Sequence, residues 1–183
     1  SKQDQADKPE PKPQKAQYIY AQPTKDLKDR ATKKLFGTYV EPGNSPVSPE
    51  RFQGYHTGTD AEYGDVKADV PVKSIAAGNV IASQYVDGYG GAVAVTSKIN
   101  GAERVVIYGH LDPNRLPKVG RKLSQGEQFA YLGKGYSSQT DGERKHLHLA
   151  ILKGDTLNWR GYVQSKSELS AWLNPLTVLN EKP

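Results

Sequence analysis

From Gly37 onward the chain alternates short apolar runs with clusters of Gly, Asp and Asn. The runs at 74–86, 88–97, 103–111, 127–133 and 145–154 each hold four to eight strand-favouring residues between turn residues. Ile99-Asn100-Gly101 separates two of them and reads as a hairpin turn. Strand and turn signals at this spacing over about a hundred residues predict an all-β, antiparallel architecture. The segment 165–173 differs. It opens with Ser165 and Glu168 in capping-box spacing and stops at Asn174-Pro175, which predicts one short C-terminal helix.

Upstream the pattern is lost. Residues 1–16 contain three prolines and no large apolar side chain, so nothing there offsets the entropy of ordering the backbone. Between 24 and 36, Leu27, Ala31 and Leu35 fall at i, i+4 and i+8, the spacing of a short amphipathic helix or of further linker. The expected division is a disordered, basic linker over 1–36 and one folded domain over 37–183.

Charge supports that division. The net charge is +5, and residues 1–36 carry nine Lys or Arg against five Asp or Glu. The remaining 147 residues carry 16 basic and 15 acidic side chains, a net of +1. A nearly neutral body lacks the basic stripe of a nucleic-acid-binding domain, so no nucleic-acid partner is expected. No apolar run approaches the roughly 18 residues of a membrane span. The chain opens at Ser1 and holds no Met. Membrane contact is therefore expected only through a leader or anchor that it does not include.

Cysteine is absent, which removes disulfides, thiolate ligands and a thiol nucleophile. A transition-metal site must then draw on His, Asp and Glu. The four histidines fall in three segments: His56 in HTGTD, His110 in VVIYGHLD, and His146 with His148 in KHLHLAI. Residues two apart in a strand share a face, so His146 and His148 project together while Leu147 and Leu149 enter an apolar layer. Neutral imidazole is the commonest metal ligand, and a catalytic zinc keeps three protein ligands and one open position. His56, Asp60 and His148 make one such set, leaving His110 and His146 for proton transfer or oxyanion stabilisation. Spacing alone does not fix which histidine takes which role.

The order H-x-x-x-D, Y-x-H-L, H-L-H resembles that of the LytM/lysostaphin-type zinc metallopeptidases. VPVKSIAAGNVIAS resembles the family's strand-turn-strand, GYGGAVAV its Gly-rich strand, and VGRKLSQGEQFAYLGKGYSS the segment before H-x-H. The likeness runs from His56 to Leu152. It implies an antiparallel sheet with Gly-rich loops around a zinc groove. It also implies His56, Asp60 and His148 as ligands of Zn²⁺, and His110 and His146 as the catalytic pair. The implied activity is endopeptidase cleavage of peptidoglycan stem or cross-bridge peptides in an extracytoplasmic setting, with the basic N-terminal segment contacting anionic cell-wall polymers. Tyr89, Tyr136 and the 137–144 loop are expected to wall the groove. The sequence departs from the family at Glu143-Arg144-Lys145, before H-x-H, and at the LAI that follows it. A silent peptidoglycan-binding or regulatory relative would have lost ligands. A biotinyl-type carrier barrel would have no reason to gather every histidine into three motifs.

Overall fold

The computed structural model describes residues 18–183. Its strands are β1 (Tyr39–Val40), β2 (Gly54–His56), β3 (Gly58–Glu62), β4 (Pro71–Lys73), β5 (Gly78–Val86) and β6 (Gly90–Ile99). They continue with β7 (Ala102–Leu111), β8 (Lys122–Leu123), β9 (Gln128–Tyr131), β10 (His146–Lys153), β11 (Tyr162–Val163) and β12 (Trp172–Leu173). Three short helices, α1 (Leu27–Arg30), α2 (Lys166–Leu169) and α3 (Pro175–Leu179), complete the elements. The main sheet runs β12-β10-β7-β6-β5-β8, with β3 also paired to β10. A three-stranded sheet β1-β2-β11 and a β4-β9 pair flank it. Every pairing is antiparallel, so the all-β expectation holds.

The long β6–β7 hairpin turns where the sequence placed it. Asn100 and Gly101 have φ of +52° and +77°, the pair of left-handed residues that a two-residue hairpin needs to match strand twist. The main sheet is covered on both faces. Leu147, Leu149 and Ile151 of β10 join Val93, Val95, Val106 and Tyr108 in the larger core. Ala150 and Leu152 project the other way, into a smaller cluster with Ile107, Val163 and Trp172. Each fully buried Leu or Ile contributes about 1.5–3 kcal/mol, so β10 is firmly held at the centre of the molecule.

Two expectations change. Residues 1–16 lie outside the described residues, but 18–36, assigned to the linker, packs on the body. Leu27 is buried in the larger core and Phe36 packs against the smaller one. The helix in this arm is a single turn, and Lys34 is buried where an amphipathic stripe would bury Leu35. The second change concerns the C-terminal helix. The Ser165–Glu168 capping box forms, but α2 stops at Leu169 because Trp172 and Leu173 pair with Leu152 and Ile151 on β10. Asn174-Pro175 then starts α3: the Asn174 side chain accepts from Leu176 N, and Pro175 occupies the first helical position, where its fixed φ suits a helix start. No helix among the described residues is long and apolar enough to cross a membrane.

Candidate metal centre

His56 ends β2, and Asp60 lies in β3, one residue break away. The two strands join different sheets, β2 pairing with β1 and β11 while β3 pairs with β10. In the β3–β10 register Asp60 stands directly opposite His148. Gly58, at the centre of HTGTD, makes this approach possible: a Cβ there would lie 2.7 Å from His148 Cε1 and 2.5 Å from the Leu149 carbonyl oxygen.

Three atoms converge. His56 Nε2 is 3.0 Å from His148 Nδ1, His148 Nδ1 is 3.1 Å from Asp60 Oδ1, and His56 Nε2 is 3.3 Å from Asp60 Oδ1. Four-coordinate zinc with bonds of about 2.0–2.2 Å holds its ligand atoms roughly 3.3 Å apart. The triangle and its N,N,O donor set fit such an ion. The Leu35 carbonyl accepts from His56 Nδ1 at 3.3 Å, which leaves Nε2 as the lone-pair nitrogen. Tyr89 Oη lies 3.4 Å from His148 Nε2, on the far side of that ring from Nδ1.

The second carboxylate oxygen of Asp60 is held from behind. Arg144 Nη2 donates to Oδ2 at 2.8 Å, and the same guanidinium binds Glu62 at 2.7–3.0 Å. The departure at Glu143-Arg144-Lys145 thus acquires a physical role, and this is the one signal by which Arg144 was discoverable in the sequence. Burial opposes ionisation of Asp60. The imidazoles of His56 and His146, with hydrogen bonds from His146 and His148, outweigh it and hold the carboxyl well below its usual range. Burial depresses His148 to about 4, more than the adjacent Asp60 restores, so its ring is neutral at neutral pH, the form that metal binding requires of an imidazole.

His146 and His110 lie beside the triangle with ring centroids 4.0 Å apart. His146 Nδ1 donates to the Arg144 carbonyl at 2.8 Å, and its Nε2 is 3.3 Å from Asp60 Oδ2. His110 arrives by a less regular route. Gly109 pairs with His148, so in an uninterrupted ladder His110 would oppose Leu147 and share its core-facing side. A register shift opposite Gly91 and Ala92, with His110 at φ +62°, makes this a bulge that turns the ring to the face of His146. Its Nδ1 is buried without a partner among the described residues. Burial first, and then the neighbouring His146, lowers the His110 pKa well below its ordinary value. All five predicted site residues are therefore brought together.

Four of them, Asp60, His110, His146 and His148, line a groove of about 290 Å³ whose walls include Phe52, Tyr89, Trp159 and Tyr162, with His56 buried behind it. Glu143 and Arg144 of the expected wall loop also line it. Tyr136 instead lines a smaller neighbouring pocket of about 190 Å³ that shares Glu143 and Arg144. Lys34, Glu50, Arg144 and Tyr162 contact the site or each other and carried no motif. Apart from the Arg144 departure, only the tertiary structure reveals them.

No curated protein matches the chain. Among solved structures, the fold is similar to Helicobacter pylori Csd3, at 17% identity and a TM-score of 0.55, covering 89% of this chain and 35% of that one. It is also similar to a chain of the SpoIIQ–SpoIIIAH pore-forming complex, at 16% identity and a TM-score of 0.59, covering 90% and 93%. A zinc-containing peptidase from Vibrio cholerae matches at 20% identity and a TM-score of 0.46, covering 74% and 37%. The chain thus spans little more than a third of the Helicobacter and Vibrio chains. The family model of Peptidase family M23 matches residues 54–159, from the strand that carries His56 to just past the strand that carries His148. With that match over more than half its length, this chain belongs to Peptidase family M23.

Proposed function

We propose that the chain is a zinc-dependent endopeptidase that hydrolyses peptide bonds of bacterial peptidoglycan, in the stem or the cross-bridge, outside the cytoplasm. The observation that carries this reading is the 3.0–3.3 Å triangle of His56 Nε2, Asp60 Oδ1 and His148 Nδ1 beside the His110–His146 pair, whose ring centroids are 4.0 Å apart. A silent binding domain of the same fold has no need of five such residues gathered at one site. Membership of the peptidase family supports the reaction class, and the donor set supports zinc.

A zinc ion held by His56, Asp60 and His148 supplies Lewis-acid activation of water and of the peptide carbonyl. The chain's own residues do the rest. Asp60 keeps its charge because Arg144 and the imidazoles favour the carboxylate, so one oxygen stays free for the ion. Both nitrogens of His146 face acceptors, the Arg144 carbonyl and Asp60 Oδ2, so the ring is oriented and can hold a proton at Nε2. That nitrogen takes the proton of the attacking water and returns it to the leaving amine. His110 is kept neutral by burial and serves as a hydrogen-bond donor to the developing oxyanion. Phe52, Trp159 and Tyr162 narrow the groove and exclude bulk water around the reacting carbonyl.

The test has two parts. Metal analysis should find about one zinc per chain, lost in Asp60→Ala and His148→Ala. Digestion of peptidoglycan of known cross-link, read by mass spectrometry, should release cleaved stem or bridge peptides. An intact cell wall with fully zinc-loaded protein would overturn the reading.

A further inference from the structure

One wall of the groove is built in an unexpected way. Lys34 is 1% exposed, and its ammonium pairs with the equally buried Glu50 and donates to the Tyr162 hydroxyl at 2.9 Å. Lys34 and Tyr162 both line the groove. A buried ion pair is poor evidence for stability, since apolar replacements of similar volume often serve as well or better. Its presence at a groove wall asks for another reason.

The Tyr162 hydroxyl suggests one. Its oxygen accepts from Lys34, so its own proton must point elsewhere, and no acceptor among the described residues takes it. The ring cannot readily turn away: it stacks on Phe52 at 5.1 Å and 15°, and lies 5.2 Å from the ring of His56. A hydroxyl that accepts from an ammonium is also a stronger donor, because hydrogen bonds in a chain polarise one another. Lys34 is neutralised by Glu50, so the wall offers a polarised neutral donor without net charge. That matches a peptide carbonyl rather than a free carboxylate.

The same arm reaches the metal ligands. The Lys34 carbonyl accepts from Asp60 N at 2.9 Å, and the Leu35 carbonyl faces His56 Nδ1. Lys34, Glu50 and Tyr162 all lie outside residues 54–159, so this wall is added by the segments flanking the family match. Resting on the endopeptidase reading, we infer that Tyr162 donates a hydrogen bond to a carbonyl oxygen of the bound peptide, and that Lys34, held by Glu50, positions it.

The experiment measures binding of two hydrolysis-resistant phosphinic peptides, one built on Gly-Gly and one on a D-Ala-containing cross-link, to the zinc-loaded full chain by calorimetry. Tyr162→Phe removes one oxygen and keeps the stacking. It should weaken the analogue that wild type binds by about tenfold, the scale of one polarised hydrogen bond, with zinc content and melting temperature unchanged. Lys34→Met with Glu50→Met removes both charges together and should weaken binding by a similar factor. Adding Tyr162→Phe to that pair should change affinity less than twofold, a coupling that a merely structural role would not produce. Equal affinities of wild type and Tyr162→Phe overturn the donor role, and that comparison stands even where the double variant does not fold. Additive losses overturn the positioning by Lys34. Tyr162-dependent binding without cleavage of any peptidoglycan overturns the endopeptidase reading alone. Binding of neither analogue by wild type overturns both.

Discussion

Gly58→Ala is the sharpest test of how the chain assembles the proposed metal centre. The substitution adds one methyl group at a position whose φ an alanine adopts without strain, so its effect is steric. The new carbon would sit 2.5 Å from the Leu149 carbonyl oxygen, 2.7 Å from His148 Cε1 and 2.8 Å from His148 Nε2. Ordinary contacts between such atoms begin at about 3.5 Å, so something must retreat by roughly 0.8 Å. The Leu149 backbone is fixed between β3 and β7, where it pairs with Thr59 and Tyr108. Moving the imidazole alone cannot relieve the 2.5 Å contact, so β3 must shift against β10, carrying Asp60 with it, and the ring is displaced as well. Metal–ligand distances tolerate about ±0.2 Å, so a ring displaced by several times that amount no longer completes the site. Zinc affinity should fall about 10–100-fold, as when an outer-shell support is lost. Metal-free stability should drop by only about 1–3 kcal/mol, the usual cost of overpacking. Competition with a chelator reads the first quantity, and urea unfolding with and without zinc reads the second. Gly64→Ala is the control, since a Cβ there meets nothing within 4 Å. A Gly58→Ala protein that binds zinc as tightly as wild type would refute the reasoning.

Further outcomes follow from the same geometry. His110→Ala and His146→Ala should keep zinc and lose activity by about 10²–10⁴-fold, measured on one preparation; loss of metal from either would instead make it a ligand. Arg144→Met leaves Asp60 Oδ2 and Glu62 without their guanidinium. In urea unfolding of the metal-free protein it should cost on the order of 3 kcal/mol, and a change under 0.5 kcal/mol would show that the pair is dispensable. Deleting residues 1–16 should leave the melting temperature unchanged, because no large apolar side chain is lost, and should lower adsorption to anionic cell walls at low salt only slightly, because the four Lys and three acidic residues removed amount to a net of +1. A deletion extended through residue 36 should destabilise strongly, since it removes Leu27 and leaves Glu50 buried without Lys34. Equal melting temperatures for the two deletions would contradict the packing of the arm.

What the sequence determined by itself was whatever depends on local periodicity. The alternation in KHLHLAI fixed which face of β10 carries imidazole and which carries leucine, because side chains in a strand alternate regardless of its neighbours. Asn100-Gly101 fixed the hairpin, since few residue pairs accept two left-handed conformations. The family resemblance, carried by motif order, nominated all five site residues. Tertiary structure decided what depends on where strands meet. His110 reaches the face of His146 only through a bulge, and a bulge is set by pairing with β6, not by the residues of β7 alone. The arm from 18 to 36 reads as polar linker because Lys34 looks like a solvated charge. It is buried because Glu50 and Tyr162, 16 and 128 residues away, converge on it. Asn174-Pro175 reads equally as a helix stop or start, and β10 decides by drawing Trp172 and Leu173 into the sheet first. A charge, a bulge and a cap each take their meaning from a partner distant in the chain, and local sequence carries no record of that partner.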